Sequence, residues 1–365
     1  MKRILLIIVF IFATNLVVAE SIDAQLEHIY SIRLNQAEEA RNLLQQLEPE
    51  LGRFNSEQKA KFYSLRAHSA AMAADYNDAI KLSDQAITLA KDYDVKAKAM
   101  SLKSKALFIS GKFQDSFKTT YEILDNFTKI DSRAIKKDVL MNAIADHLAA
   151  GILDQAKLLS LQSLALARSH RDDGIYCEAY YQLSGIEMEY TDYDQVKHQI
   201  DIAKPLCAKV NNQLYLLGLE ERLASISLVQ KSLAQAERQY RDLYKKSEAF
   251  GWEIMHAIVQ TKLSEIYLQQ ARYQDAAKYG LAAYRYSKEK NDIHHLKQSS
   301  LVLAKLYKEL DDVDKANFYN KEYIDAAVKM SGELERRRLG YYQAMNYREK
   351  QKELATKNSF VKSEQ

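Results

Sequence analysis

The chain has 365 residues, 47% hydrophobic and 28% charged, with only 10 Gly and 2 Pro and a formal net charge of +3. So few helix breakers over that length exclude a loop-rich or strand-and-turn architecture. A balance this near neutral, 3 − 2 = +1 once Lys2 and Arg3 are set aside with an expected leader, carries no electrostatic footprint for nucleic acid or for an anionic membrane surface.

The N-terminus reads as an export signal over residues 1–19. Lys2-Arg3 is a short positive region, Ile4 to Phe12 is an apolar core, and Val17-Val18-Ala19 places small or short side chains before Glu20, which fits cleavage after Ala19. At roughly 16 residues the apolar stretch is shorter than the ~20 that a spanning helix needs. No Cys follows it, so lipid attachment is excluded. The expectation is an exported protein, periplasmic or secreted, with no stable membrane insertion after cleavage.

From Ile22 to Met330 one short phrase returns at a nearly constant interval. It is Asp75-Tyr76-Asn77-Asp78-Ala79, then Gly111-Lys112-Phe113-Gln114-Asp115-Ser116, and later Tyr273-Gln274-Asp275-Ala276 and Val313-Asp314-Lys315-Ala316. The small residue closing each copy falls at 40, 79, 116, 156, 196, 236, 276 and 316, so the last five intervals are all 40. Between phrases the text is helical, two runs of roughly 17 residues per period, joined by turns too short for anything but antiparallel neighbours. Twelve residues before the closing residue stand Ala67, Ser104, Ser184, Ala224, Ser264 and Ala304, preceded in four copies by Leu183, Leu223, Leu263 and Leu303. Tyr267 and Tyr307 recur nine before it. A fixed period in this range is the signature of a stacked repeat.

The pattern of a large apolar residue, Leu-small, an aromatic, a turn and then Ala resembles the tetratricopeptide repeat, over about 300 residues and seven good copies, with the copy near Ala40 degenerate. Two features depart from that family: the period is 40 rather than 34, and the Pro near the end of the second helix is missing except at Pro49 and Pro205. The resemblance implies an all-α fold, a right-handed α–α superhelix of about eight helix-turn-helix repeats over residues 20–330. Residues 331–365 follow as a charged C-terminal helix that caps the array and frays. That segment keeps a thin apolar trail of Leu334, Tyr341, Met345 and Leu354, while Arg338, Arg348 and Lys352 fall where a coiled-coil seam would want apolar residues.

The sequence carries no catalytic constellation: no His-Glu-x-x-His, no Gly-rich phosphate loop, no Gly-x-Ser-x-Gly, and His294-His295 point to different sides of a helix. The expectation is a non-enzymatic protein without cofactor or metal. Cys177 and Cys207 lie about 15 residues either side of the turn at Thr191-Asp192, level at the open end of one antiparallel pair. A disulfide there and two buried thiols are both compatible with that placement.

The resemblance further implies that the first helix of each pair lines a concave groove. Carried over residue by residue, the groove positions include Lys61, His68, Lys98, Lys105 and Phe108, then Met141, Leu148, Glu178, Tyr181 and Met188, and finally Glu221, Leu228 and Glu265. The smaller residues Ser64, Ala71, Ser101, Ala145, Gly185, Ser225, Thr261 and the apolar Leu268 fall on the same stripe. Read in order, the stripe passes from basic through apolar and aromatic to acidic, a gradient suited to an extended or helical peptide. The overall plan also resembles periplasmic sensor regions of bacterial membrane diguanylate cyclases and histidine kinases, without their membrane span and signalling domain. Two functions follow as expectations: a binding scaffold for a protein or peptide of the cell envelope, or alternatively a ligand-responsive sensor element of a signal-transduction system.

Overall fold

In the computed structural model, residues 21–33 and 36–363 are described, with side chains to residue 356; the expected leader and its cleavage point, and Asn35 of the first turn phrase, lie outside them. The described residues form eight consecutive helix pairs. They are α1 (Ile22–Ile32) with α2 (Ala37–Leu47), α3 (Ser56–Met72) with α4 (Tyr76–Leu89), α5 (Tyr93–Ile109) with α6 (Phe113–Asp125), and α7 (Arg133–Ala149) with α8 (Leu153–His170). Then come α9 (Asp173–Glu189) with α10 (Tyr193–Lys209), α11 (Gln213–Val229) with α12 (Leu233–Phe250), α13 (Glu253–Gln269) with α14 (Tyr273–Glu289), and α15 (Ile293–Glu309) with α16 (Val313–Ser363). No strand occurs among the described residues.

The turns show why the period is kept. Five residues before each closing residue from Ala79 to Ala316 stands a left-handed residue: Ala74 (φ 60°), Gly111 (78°), Gly151 (66°), Thr191 (60°), Lys231 (58°), Ala271 (55°) and Asp311 (55°). The following N–H reaches back five residues to the ending helix, as in Asp75 N to Ala70 O at 2.9 Å, Arg272 N to Tyr267 O at 2.8 Å and Asp312 N to Tyr307 O at 3.0 Å. This is the six-to-one closure of a helix C-terminus, and it satisfies a carbonyl the helix leaves orphaned. A non-glycine residue there costs about 1 kcal/mol or more, so the turn is held from outside. The closing residues Ala79, Ser116, Ala156, Val196, Ala236 and Ala276 are fully buried against the opposite helix. Ser104 Oγ donates to Ser116 O at 3.1 Å, and Ser264 Oγ to Ala276 O at 2.7 Å, the same bond one hundred and sixty residues apart.

The chain divides into two packing units at Ala99–Met100, inside α5. In the first, Leu26 and Ile29 of α1, Leu44 and Leu47 of α2, and Phe62 and Leu65 of α3 form a core closed by Phe54. Pro49 sits at the start of a 3-10 turn, Glu48–Arg53, which ends the short second helix.

In the second unit the pairs from α9 to α15 stack on their neighbours in register. Their largest core joins Tyr240 and Leu243 of α12, Val259, Leu263 and Tyr267 of α13, and Leu303 and Tyr307 of α15. Cys177 of α9 and Cys207 of α10 are bonded, with S–S 2.10 Å and Cα–Cα 4.9 Å, and both are fully buried.

The segment expected to form a separate charged cap from residue 331 is instead the continuation of α16, one helix of 51 residues. Its distal half docks on α6 and on the α7–α8 turn. Tyr341 lies edge-on to Phe117 (5.4 Å) and His147 (5.5 Å), and Ala344 is buried beside it. Gly340 permits the approach: a Cβ there would stand 2.5 Å from Phe113 Cβ and 2.8 Å from Gln114 N. The charges that spoil a coiled-coil seam are used here. Arg337 Nη1 donates to Ala149 O at 3.2 Å, Arg338 Nε to Ala150 O at 3.3 Å, and Arg348 grips Asp125 with both nitrogens of its fork. Leu354, at the end of the apolar trail, stays 52% exposed.

Candidate functional site

First-helix positions separate into committed and open ones. In the first unit, Lys61 Nζ is 3.4 Å from Asp23 and 3.7 Å from Glu27. Lys98 Nζ sits 3.2 Å from the centroid of the Tyr30 ring, which also carries Arg33 at 3.6 Å. Burial, reinforced by Arg33 and Lys98, pushes the His68 imidazole down to about 4. The basic end of the expected gradient is thus engaged in contacts of its own. Each of these cations is held by an aromatic face or a carboxylate that the repeat register does not encode.

In the second unit, Lys105 Nζ lies 3.1 Å from Asp146 Oδ1, a carboxylate only 1% exposed. Burial raises Asp146 to about 6, although Lys105 and Arg337 oppose that shift. Next to it His147, fully buried, is pushed down to about 4 by desolvation; Tyr121 Oη is 2.9 Å from its Nε2 and Ala143 O is 2.7 Å from its Nδ1. Phe108 and Leu228, expected in the groove, are buried at 8% and 6%. They belong to the cores around Phe117 and Tyr240. Their large side chains fill the space between stacked helices, which withdraws both from any ligand. Met141 and Leu148 pack against Leu140 and Ile144, and Met188 against the Cys177–Cys207 core.

The stripe remains open and polar further along. Glu178 stands 3.5 Å from Lys137, with its pKa raised by burial. Glu221 accepts from Tyr240 Oη at 3.0 Å and Ser225 Oγ at 2.7 Å. Burial first, and then Glu221, raise the Tyr240 phenol far out of its ordinary range, so it stays a donor. Thr261, Glu265 and Leu268 of α13 face Gln298, Leu301, Val302 and Lys305 of α15 across a cleft of about 300 Å³.

One constellation on this stripe escapes sequence reasoning. Tyr181 of α9 stacks on Tyr215 of α11 with centroids 4.4 Å apart at 24°, and the Arg222 guanidinium lies 3.9 Å from the same ring. Gly218 is what lets Tyr181 in, because a Cβ there would be 2.7 Å from the ring. Gly185 makes the matching room for Arg222, whose Nη2 would be 2.8 Å from its Cβ. The readable signal was a pair of glycines inside helices, Gly185 on the stripe and Gly218 in the next repeat, each of which marks a close approach. Among the described residues no group of His, Cys, Asp and Glu is arranged to hold a metal ion.

No protein-family model and no curated protein matches the sequence. Solved structures do. The apo form of RapI superposes with TM-score 0.64 over 85% of this chain and 87% of its own, at 14% identity. The apo quorum sensor NprR from B. thuringiensis gives TM-score 0.62 over 83% of this chain and 86% of its own, at 15% identity. NprR in complex with its cognate peptide NprX gives 0.52 over 91% and 84%, also at 15% identity. At such identities the likeness defines a fold. The fold is a tetratricopeptide-like, all-α helical repeat.

Proposed function

We propose that this chain is an exported, non-enzymatic scaffold that binds a protein or peptide of the cell envelope along its first-helix stripe. The observation that carries the reading is the cleft between α13 and α15, where Glu265 and Leu268, positions implied by the tetratricopeptide resemblance, meet Leu301 and Lys305 of the next pair. An apolar floor with a few polar groups at the rim suits a peptide side chain. NprR, similar in fold, is known in complex with a peptide. The leader-like residues 1–19 and the buried Cys177–Cys207 bond support an oxidising compartment outside the cytoplasm. No helix among the described residues is long and apolar enough to cross a membrane.

The test is selection of synthetic random peptides on the purified chain, followed by photocrosslinking from residues 268 and 301. Selected peptides that crosslink from these positions support the reading. A selection that returns nothing, or peptides that crosslink from neither position, overturns it.

A further inference from the structure

The pair α13–α14 is hollowed where its neighbours carry larger side chains. Counting in steps of 40, the counterparts of Ala257 are Cys177, Leu217 and Lys297, those of Ala282 are Ile202, Asp242 and Glu322, and those of Gly251 are Arg171, Asn211 and Asn291. At each of these positions this pair has the smallest side chain of its register. All three residues line one cavity of about 390 Å³, bounded by the end of α12, the start of α13 and the second half of α14. That volume falls in the range of small-molecule sites. Its wall on α13, His256 and Gln260, lies roughly a third of a turn from Glu265 and Leu268, so the cavity is separate from the cleft between α13 and α15.

Acceptors and a ring face surround that space. Ser247 is fully buried, and its one hydroxyl hydrogen goes to Tyr244 O at 3.1 Å. The same oxygen stands 3.1 Å from His256 Nδ1, so it accepts there. This puts the ring proton on Nδ1 and leaves Nε2, which has no partner among the described residues, as an acceptor. The Tyr244 ring packs on the imidazole with centroids 4.3 Å apart and holds it in place. Glu253 is bridged to Lys290 at 3.3 Å, whose Nζ is 5.9 Å from the centroid of the Tyr286 ring. Glu248 pairs with no cation among the described residues. Glu253 and Lys290 offset each other, so the cavity keeps one uncompensated negative charge.

We propose that this cavity binds one organic ammonium group carried on an apolar body, with Glu248 as its counter-ion, His256 Nε2 as its acceptor and the Tyr286 ring as the face it lies against. An ammonium has three donors and no acceptor, which matches an unpaired carboxylate and an unpaired imidazole nitrogen. The electron-rich face of a tyrosine attracts the same charge. Ala257 and Ala282 give the apolar body its room, and Lys290 repels a second cation. The site stands apart from the peptide-binding reading and does not depend on it.

NMR titrations of the purified chain at neutral pH test it, with benzylamine and phenethylamine as free amines and Nα-acetyl-lysine methylamide as a protein-like stem. Benzyl alcohol, phenethyl alcohol and the Nε-acetylated lysine derivative serve as the neutral counterparts. An amine should bind about fivefold tighter than its neutral counterpart or better, and should shift the ring-proton signals of His256. Whether the free amines or the lysine derivative bind more tightly tells a small molecule from a protein side chain. Glu248→Gln should remove most of the preference for charge and leave the alcohols unchanged. Ala282→Ile, which installs the counterpart found at Ile202, should abolish binding with the melting temperature unchanged or raised. Should that variant not fold, Glu248→Gln and the His256 signals of the native chain decide. No amine bound, neutral counterparts bound as tightly as amines, or an amine that binds Ala282→Ile as well as the native chain overturns the site. None of these outcomes touches peptide binding on the first-helix stripe.

Discussion

Two joints within the second unit are built on different principles. Between α12 and α13, and again between α14 and α15, each second helix packs on the first helix of the next pair through residues at fixed distances from the turn. Between α6 and α7 that packing is nearly absent. There α6 is only 13 residues long, a 3-10 turn at Phe127–Lys129 leads away from it, and the distal half of α16 lies on its exposed side, more than two hundred residues along the chain. A solenoid held by nearest-neighbour contacts fails one interface at a time. Docking α16 ties the last pair to the third and makes the weak joint depend on a distant segment.

The largest effect should come from emptying the seat. Phe117 is fully buried beneath Tyr341, and Phe117→Ala should cost about 3–5 kcal/mol in urea unfolding while releasing amide protection over residues 334–352. If stability falls and those amides stay protected, α16 does not depend on the seat. The periodic region has its own brace. Replacing Cys177 and Cys207 by Ser opens a loop with sequence separation 30, and chain entropy puts the loss at roughly 3–4 kcal/mol. That loss should show as earlier exchange in α9 and α10 with α16 undisturbed; loss of protection at 334–352 would mean the two regions are not separable.

The third prediction concerns pH. Asp146 is raised from 3.8 to about 6, so its ionisation opposes the fold, and stability from this group rises as pH falls from about 6 toward 3.8. His147 is depressed from 6.5 to about 4, so stability from this group is full above 6.5 and is lost as pH falls toward 4. Each shift corresponds to about 3 kcal/mol, with opposite sign, and adjacent in sequence they nearly cancel. Asp146→Asn should therefore unmask an acid loss approaching 3 kcal/mol between pH 6.5 and 4, read as a falling urea midpoint relative to the native chain. His68, depressed in the first unit, is common to both proteins and drops out of the difference. Parallel pH profiles would show that the two groups do not oppose each other.

The smallest effect should be Arg348→Ala. Its pair with Asp125 is partly exposed, 27% and 36% for the two side chains, so the loss should be about 1 kcal/mol or less. A loss as large as that of Phe117→Ala would make the fork, not the aromatic seat, the anchor of α16.

The repeat register was legible because it is local. A closing residue at position 276 must be small since Ser264 donates to its carbonyl at 2.7 Å, and the same need recurs in other pairs. The level placement of Cys177 and Cys207 followed from counting residues either side of one turn. The groove stripe was only half legible. The resemblance put Glu265 and Leu268 on an open cleft, but it also selected Thr261, Phe108 and Leu228, which burial removes. Period alone assigns a helix face and does not say how closely the neighbouring helix covers it.

The amino-acid order by itself thus determined the helical class, the eight turns and the nearest-neighbour stack, because each depends on contacts within about 40 residues that repeat and so reinforce one another. Tertiary structure alone decided that Tyr341 of α16 returns to Phe117, that Lys105 is the counter-ion of a buried Asp146, and that Arg222 comes to rest on Tyr181. These contacts occur once, between residues separated by 41 or by more than two hundred positions. A single long-range contact leaves no periodic trace for the sequence to show.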